Sequence, residues 1–249
     1  LKDLYSNKKI NLINLIYLFF QRFVLLFSVK KYDLVWIEKE VFPYMPSFFE
    51  SIICYSGVKY IVDYDDDIFQ NYDKFNSNFY KKKFHHLLQK SSLVVVCNDY
   101  LFERVNFIGA KNIIKIPTVV DMLKYKKRTY SKDYKEFRIG WIGSPSTTKY
   151  LYVIKDVLEK LALIYPIKLI VVGGTKLVNF NIPLELHEWS PNKENEIIET
   201  FDIGVMPLYK TRWEEGKCGY KLIQYMASGV PVIATCFGMN KEIVDKDVG

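Results

Sequence analysis

A segment with two lysines, Gly216 to Lys221, directly precedes a stretch with helical periodicity. Lysine is disfavoured in the first turn of a helix because the helix dipole is positive there. Lys217 and Lys221 nevertheless flank the start of this helix, and a bound anion would compensate the repulsion. Lys221 and Gln224 share a helix face, so an ammonium could reach phosphate while an amide reaches a ribose hydroxyl. We interpret the segment as a phosphate site, with two solvated surface lysines as the alternative.

A second candidate phosphate loop runs from Gly143 through Ser144 to Thr147, between a predicted strand and a predicted helix. Glycine lets the backbone approach a ligand, and a helix N-terminus offers N–H groups and positive potential to phosphate. The run lacks the Gly-Lys-Ser/Thr ending of a P-loop. An ordinary Ser/Thr helix cap explains the same residues.

Three carboxylates, Asp65, Asp66 and Asp67, follow a predicted strand in the first half of the chain. Neighbouring carboxylates repel one another, so donors, solvent or a cation must compensate them. The D-x-D pattern that they contain could hold a divalent metal. The alternative is an exposed turn in which an aspartate caps the next helix.

Short β-rich runs alternate with helical stretches, which predicts βαβ units and mainly parallel sheets. A polar, aperiodic segment at 122–136 is the predicted linker between a domain at 1–121 and a domain at 137–249. Ligands of such sheets bind beyond the carboxyl ends of the strands, where Trp189 and Ser190 follow a predicted strand. Strands are predicted at 34–38, 59–63, 93–97, 112–116, 138–142, 167–172, 184–187, 203–206 and 230–234, and helices at 46–55, 76–90, 100–107, 147–164, 192–200 and 220–227.

The composition is that of a globular protein, with 49% hydrophobic and 25% charged residues among 249. The four cysteines form no CxxC pair, which argues against a metal site or disulfide framework and favours a reducing, cytoplasmic setting. The net charge of +7 suits phosphorylated ligands or an anionic membrane. No run of Lys/Arg exceeds three residues and no nucleic-acid motif occurs, so we expect no nucleic-acid partner.

The apolar stretch 10–29 is about long enough to span a bilayer. Asn11, Asn14, Gln21 and Arg22 fall on one stripe at helical spacing, which a lipid-facing helix would not favour. The stripe favours a largely buried helix packed on a sheet. The alternatives are a helix lying on a membrane surface, giving peripheral contact through residues 10–29, and a true span.

Several motifs, taken in order, resemble the family 4 (group 1) retaining glycosyltransferases of the GT-B fold, especially bacterial members that build surface polysaccharides. The resemblance implies an α/β protein with two Rossmann-like, doubly wound domains facing a cleft, with the donor on the second and the acceptor on the first. Both domains look truncated, so we expect a fragment that lacks both termini, and the resemblance leaves its activity on its own open. The motifs are VDYDDDIF (62–69), IPTVVD (116–121), WIGSPST (141–147), FDIGVMPL (201–208), WEEGKCGYKLIQYMASGVPVIA (213–234) and GMNKEIV (238–244).

The resemblance also implies roles for individual residues. The two positions of the family's paired glutamates hold Gly216 and Gln224, and glutamine can still hydrogen-bond ribose but cannot carry charge. Asp65 and Asp66 are the implied catalytic residues, lining the acceptor side and orienting or deprotonating a hydroxyl. The implied donor-binding residues are Gly143, Ser144, Thr147, Trp189, Ser190, Lys217, Gly219, Lys221, Gln224, Met239 and Asn240.

The function expected from this resemblance is transfer of a sugar, with retention, from a nucleotide-diphosphate sugar to a glycan or lipid-linked acceptor in surface polysaccharide biosynthesis. No metal or other cofactor is expected to be obligatory, and the expected location is the cytoplasm, at the inner face of the cell membrane. The alternatives are a non-catalytic GT-B-like binding subunit, a metal-dependent GT-A transferase using Asp65 and Asp67, and a sugar-nucleotide epimerase.

Overall fold

A computed structural model describes residues 12–73, 75, 78–129 and 135–244 of the chain. The start of the apolar stretch, Asn76 of one predicted helix and residues 130–134 of the predicted linker lie outside this description. By its internal contacts the chain divides into two compact units. One comprises Leu1–Pro117 with Gly216–Cys218, and the other comprises Thr118–Glu215 with Gly219–Gly249.

The first unit is built on a four-stranded parallel sheet in the order β1-β2-β3-β4. Alternate side chains of β2 are buried, and β3 is almost wholly buried, as expected for the central strands of a covered parallel sheet. The strands are β1 (Leu34–Glu38), β2 (Lys59–Tyr64), β3 (Leu93–Val96) and β4 (Ile113–Lys115), and the helices are α1 (Leu12–Ser28), α2 (Ser47–Cys54), α3 (Gln70–Asp73), α4 (Asn78–Lys90) and α5 (Asp99–Ile108).

The ends of α5 are fixed by local chemistry that the sequence predicts. Asn98 Oδ1 accepts a hydrogen bond from the Leu101 backbone N–H at 2.8 Å, which is an N-cap. Gly109 ends the helix with φ of 119°, in the left-handed region that a residue without Cβ enters readily. Asn98 and Gly109 therefore bound the helix predicted at 100–107.

The second unit is built on a five-stranded parallel sheet in the order β7-β6-β5-β8-β9. The chain leaves β5 in one direction towards β6 and later returns to its other side at β8, so the strand order reverses between β5 and β8. In open α/β sheets a ligand crevice forms at such a reversal, beyond the carboxyl ends of the strands. The strands are β5 (Phe137–Ile142), β6 (Ile167–Val172), β7 (Leu184–His187), β8 (Ile203–Met206) and β9 (Val232–Ala234), and the helices are α6 (Lys155–Ala162), α7 (Glu194–Ile198), α8 (Arg212–Glu215), α9 (Tyr220–Ala227) and α10 (Met239–Ile243).

The predicted helix at 147–164 is wrong in its first half. A 3-10 segment occupies Pro145–Val153, and the α-helix begins only at Lys155. Pro145 at the first helical position fits the start of this segment. The three short helices α3, α8 and α10 have no counterpart among the predicted helices.

The expectation of a largely buried helix at 10–29 is also wrong over the described residues. Only Leu26 is buried within α1, while Phe20 and Phe27 are 62% and 69% exposed. One face does pack, since Phe19 and Phe23 contact the core rings of Phe42 and Phe49. Leu12–Lys31 is, within the described chain, the one helical stretch apolar and long enough to cross a membrane, a test that core helices and signal sequences also pass.

Candidate functional site

The Gly143–Thr147 loop follows β5 at the reversal of strand order. Ser144 donates its backbone N–H to Thr147 Oγ1 at 2.9 Å, and Thr147 N–H donates to the Ser144 carbonyl, also at 2.9 Å. A Cβ on Gly143 would lie 2.2 Å from the Trp141 ring, so only glycine lets the loop cross this ring. The loop is a capped helix start, as the ordinary interpretation predicts, and its Ser and Thr side chains remain at the surface.

Lys221 and the Gly143 loop both lie against the ring of Trp141. The Trp141 side chain is buried at the end of β5, and Lys221 Nζ lies 4.5 Å from its ring centroid in a cation–π contact. Lys221 belongs to the first turn of α9, which has no acidic residue there and no side-chain cap at Gly219. A cation and a helix N-terminus are thus directed to one point at the carboxyl edge of the sheet, which suits a phosphate group.

Gly219, Met239 and Asn240 lie together at the start of α9. Gly219 has φ of 70°, and a Cβ there would come 2.4 Å from Ile243 of α10. Met239 and Asn240 are buried, and Asn240 Nδ2 donates to the Thr235 carbonyl at 3.3 Å. These two side chains therefore support the helix start from below, and their predicted sugar contacts stay a prediction.

Trp189 and Ser190 follow β7 on the other side of the loop. A Cβ on Gly173, which has φ of 71°, would lie 2.4 Å from the Gly143 carbonyl oxygen and 2.9 Å from Trp189 Cβ. Trp189 is half exposed and donates its indole N–H to Glu194 Oε1 at 3.1 Å. The structure thus brings Trp189 next to the Gly143 loop, where its half-exposed ring suits stacking on a planar ligand.

Gln224 does not share an exposed face with Lys221. Its side chain is 2% exposed, and its Nε2 donates to the Tyr125 hydroxyl at 3.2 Å. The Gln224 amide consequently links α9 to the segment that precedes β5, and a ribose contact would need a different rotamer. Its predicted role in holding ribose stays a prediction.

A buried glutamate, Glu214, lies close in sequence to the predicted first glutamate position. It accepts hydrogen bonds from the Tyr150 hydroxyl at 2.5 Å and from the Thr211 hydroxyl. Both donors belong to the second unit, and the glutamate is 3% exposed. We infer that Glu214 fixes the segment leading to α9 and does not contact a ligand, a role that the sequence does not indicate.

Lys217 groups with the first unit, unlike Lys221. Its carbonyl accepts a hydrogen bond from Asn98 Nδ2 at 3.1 Å. A Cβ on Gly216 would lie 2.7 Å from Asp67 Cβ, so no larger side chain fits there without movement. This contact explains why glycine occupies the first predicted glutamate position.

The carboxylates that follow β2 in the first unit do not converge. Asp65 Oδ1 forms an ion pair with Lys39 Nζ at 2.9 Å, and Asp66 Oδ2 lies 3.7 Å from the same ammonium. Asp67 faces inward, where its Oδ2 accepts from Tyr100 and from Gln70. A cation held between Asp65 and Asp67, as the metal-dependent GT-A alternative requires, is therefore not favoured, and no cluster of metal-ligating residues occurs in the described parts of the chain. The two parallel sheets also contradict that alternative.

Lys39 is a candidate functional residue that the sequence does not reveal. It is not glycine, yet its φ is 67°, a strained conformation that often marks functional sites. Burial opposes its charge, but the ion pairs with Asp65 and Asp66 outweigh burial and raise the pKa of Lys39. Burial is also the largest cause of the raised pKa of Asp66, and repulsion by Asp65 adds to it. Asp66 thus holds a proton more readily than an ordinary aspartate.

Comparisons with known proteins agree with this geometry. Residues 136–249 match the family described as glycosyl transferases group 1. No match to this chain was found among curated proteins.

Three solved structures illustrate the fold. Anabaena HepE in complex with UDP-glucose has a TM-score of 0.59 at 13% identity, over 90% of this chain and 65% of that chain. Sucrose-phosphate synthase from Thermosynechococcus elongatus has a TM-score of 0.64 at 14% identity, over 86% and 59%. A mutant of S. aureus TarM in complex with Fondaparinux, alpha-GlcNAc-glycerol and UDP has a TM-score of 0.53 at 16% identity, over 76% and 39%.

At these identities the likeness demonstrates the fold alone, and the chain spans between 39% and 65% of the length of these three proteins. The parallel sheets, the reversal between β5 and β8 and the match of the second unit all lead to one conclusion. The chain has the α/β architecture seen in GT-B glycosyltransferases, and its residues 136–249 are similar to the family described as glycosyl transferases group 1.

Proposed function

We propose that this protein transfers a sugar from a nucleotide-diphosphate sugar to a glycan or lipid-linked acceptor, with retention of configuration, in surface polysaccharide synthesis. The observation that carries the proposal is Lys221 Nζ over the Trp141 ring, at the start of α9 and beside the Gly143 loop. This arrangement suits a diphosphate better than an uncharged ligand. HepE and TarM, which share the fold, were each solved with UDP or a UDP-sugar, which favours UDP as the first nucleotide to test.

In the proposed chemistry, positive charges of the second unit stabilise the leaving diphosphate. As the bond from the sugar to the diphosphate breaks, negative charge grows on the phosphate oxygens. Lys221 and the start of α9 would stabilise that charge without reorganising, which is the most effective form of electrostatic catalysis. Trp189 would stack on the base or sugar at the opposite end of the site. The mechanism needs no metal, so we expect transfer to persist in EDTA.

The acceptor would be oriented by residues of the first unit. Asp65 and Asp66 lie beyond β2, where the resemblance predicts the acceptor hydroxyl. Lys39 Nζ lies close to both carboxylates, and the raised pKa of Asp66 favours a shared hydrogen bond with an acceptor hydroxyl. We propose that Asp66 orients that hydroxyl, with Asp65 and Lys39 fixing its position.

The test is transfer from labelled donors. The protein is incubated with UDP-glucose, UDP-N-acetylglucosamine and UDP-galactose carrying a labelled sugar, with a lipid extract as acceptor. We expect label in a lipid or glycan product, and an α-anomeric proton by NMR when the donor is α-linked. Labelled free sugar without any product would contradict the proposal, and a β-linked product would contradict retention.

A second candidate function is a non-catalytic subunit that binds a nucleotide sugar or glycan. Two features favour it: Gly216 and Gln224 carry no charge at the predicted glutamate positions, and the Gln224 amide is buried against Tyr125. This candidate predicts nucleotide binding without transfer or donor hydrolysis. The isotope experiment therefore separates the two candidates directly.

We also propose that α1 lies on a membrane surface, at the inner face of the cell membrane. Its exposed side is apolar, and Lys30 and Lys31 follow its end, where they would meet anionic lipid headgroups. Arg22 does not oppose this orientation, since its guanidinium turns inward and donates to the Val41 carbonyl at 2.5 Å. Exposed large apolar side chains of α1 are Leu12, Ile13, Ile16, Tyr17, Leu18, Phe20, Val24, Leu25 and Phe27.

A further inference from the structure

A cavity of about 370 Å³ lies in the first unit between α4 and α5, beside α3. Its size is within the range of small-molecule sites, about 300–1,000 Å³. None of the predicted donor-binding residues lines it, and neither do Asp65 and Asp66. Its lining includes five aromatic side chains, those of Phe69, Tyr72, Tyr80, Phe84 and Phe107.

The aromatic residues divide into a floor and a rim. Phe69, Tyr72 and Phe84 are at most 4% exposed and form the floor, whereas Phe107 is 85% exposed and lies at the mouth. The one hydroxyl of the floor, on Tyr72, donates to Glu40 Oε1 at 2.5 Å and so is committed to the protein. The floor therefore offers a ligand ring surface and no polar partner.

The charged residues of the lining have an excess of positive charge. Lys81, Lys82 and Arg104 oppose a single carboxylate, Asp73. Arg104 Nη2 pairs with Asp73 Oδ2 at 2.5 Å, which neutralises both groups. Lys81 and Lys82 are exposed and have no ion-pair partner in the described part of the chain. The uncompensated charge thus sits at the edge of an apolar cavity.

The aromatic floor and the lysines at the edge of the cavity together indicate which kind of ligand fits. The faces of aromatic rings are electronegative, so an anionic group is disfavoured between them and favoured beside the lysines. A sugar would need many hydrogen-bonding partners, but apart from its cations and Tyr hydroxyls the lining offers only His85, Asn78 and the paired Asp73. We propose that this cavity binds a hydrocarbon chain that ends in a phosphate. The chain lies among Phe69, Phe84 and Phe107, and the phosphate lies against Lys81 and Lys82.

The cavity adjoins the predicted acceptor residues. Phe69 of its floor follows Asp67 by two positions, and Arg104 Nε lies 3.9 Å from Asp67 Oδ1. A lipid phosphate bound here would supply the lipid end of a lipid-linked acceptor, and that role rests on the proposed function. Binding of the lipid phosphate does not rest on it, because the cavity needs no donor.

The test is calorimetric titration of the protein with decyl phosphate, kept below its critical micelle concentration. We expect decyl phosphate to bind about tenfold more tightly than 1-decanol and far more tightly than inorganic phosphate, since both ends of the ligand contribute. Lys81→Gln with Lys82→Gln should weaken binding about tenfold by removing the charges. Phe107→Ser should weaken it about fivefold by removing apolar contact at the mouth.

The matched control is Lys90→Gln, on the same helix but outside the cavity, where Lys90 lies over the Tyr55 ring. It should leave the affinity unchanged. Equal affinity for decanol and decyl phosphate would overturn the proposal, and so would full affinity in both the lysine and the Phe107 variants, which would point to α1 instead. UDP titration of the same protein reports the donor site separately. Loss of UDP binding with decyl phosphate binding intact would therefore contradict only the proposed function.

Discussion

Lys221 Nζ lies 4.5 Å from the centre of the Trp141 ring, so a buried indole at the end of β5 positions a cation at the start of α9. We predict that Lys221→Met weakens UDP binding by about tenfold to a hundredfold, because a charge-assisted hydrogen bond to phosphate contributes about 1.5–3 kcal/mol. Isothermal titration with UDP measures the effect. Lys160→Met, an exposed lysine in the last turn of α6 in the same unit, serves as the control.

A second variant, at Trp141, tests whether the position of the Lys221 ammonium matters in addition to its charge. Trp141→Leu keeps an apolar side chain in the core but removes the aromatic face, so the Lys221 ammonium loses its support. We expect a smaller loss of UDP affinity, about threefold to tenfold, on the scale of a partly exposed cation–π contact. If circular dichroism shows that Lys221→Met is folded and its UDP affinity is unchanged, the assignment of Lys221 to a phosphate site is wrong.

Much of this site can be predicted from the sequence because it depends on local signals. The ends of β6, β7 and β8 are placed correctly by their apolar runs, and the Gly143 loop follows from its glycine and hydroxyl residues. What escapes prediction depends on distant contacts. Gln224 meets Tyr125 from 99 positions away, and nothing near Gln224 indicates that its amide turns inward. The strained backbone of Lys39 likewise has no sequence signal, since lysine rarely adopts a positive φ.

One buried ammonium in the first unit faces two buried carboxylates. Lys83 Nζ lies 2.6 Å from Glu40 Oε2 and 3.2 Å from Glu50 Oε1, and all three side chains are fully buried. Burial is the largest cause that raises the pKa of Glu50 above its ordinary value of 4.5. The folded protein therefore binds the Glu50 proton more tightly than the unfolded chain does. Its contribution to stability is present below pH 4.5 and is lost as the pH rises from there through the folded pKa.

We predict that Glu50→Gln flattens this dependence. Glutamine cannot ionise, and its oxygen can still accept the Phe42 N–H that Glu50 Oε1 accepts at 3.1 Å. Urea denaturation between pH 4 and pH 8 measures the slope, to which one group contributes at most about 1.4 kcal/mol per pH unit. Stability of the variant relative to the parent should rise with pH. A parallel pair of stability curves would show that Glu50 does not titrate in this range.

An ion pair in the second unit fixes the segment before β5. Asp202 is buried and accepts from the Arg128 guanidinium and from the Arg138 backbone N–H at 2.6 Å. We predict that Arg128→Met destabilises the protein by about 3–5 kcal/mol, since it leaves a buried carboxylate without its cation. Asp202→Asn in the same chain should recover part of the loss, because the amide is neutral and still accepts from Arg138. A double variant less stable than Arg128→Met alone would refute this account.

The outcome for α1 illustrates a limit of pattern reasoning. Its polar stripe favours a packed helix, yet Arg22 lies on the side that packs while Asn14 and Gln21 are exposed among apolar residues. Periodicity identifies a helix but cannot tell which face meets the protein when both faces are apolar. The packing of α2 against one side of α1 reveals that most large apolar side chains of α1 are exposed over the described residues.

We predict that the protein binds vesicles containing anionic lipid through α1. Phe20→Ser with Phe27→Ser should reduce the bound fraction, with a loss of affinity of about tenfold or more, because each exposed ring would bury apolar surface in the lipid interface. Lys30→Gln with Lys31→Gln should weaken binding to anionic vesicles only, by about tenfold, at about 1 kcal/mol per lysine. Flotation of the protein with vesicles of phosphatidylglycerol and phosphatidylcholine measures both effects.

The control for this prediction is Leu163→Ser with Ile164→Ser, which removes two exposed apolar side chains from the second unit. If exposed apolar residues bound lipid wherever they lie on the protein, substituting Leu163 and Ile164 would reduce flotation as much as substituting Phe20 and Phe27. We expect no change, because those residues follow a helix of only 8 residues, whereas the apolar side of α1 extends along a helix of 17 residues. Equal losses of flotation in the two double variants would contradict the proposal that α1 binds the membrane. Equal flotation with neutral and with anionic vesicles would contradict it as well.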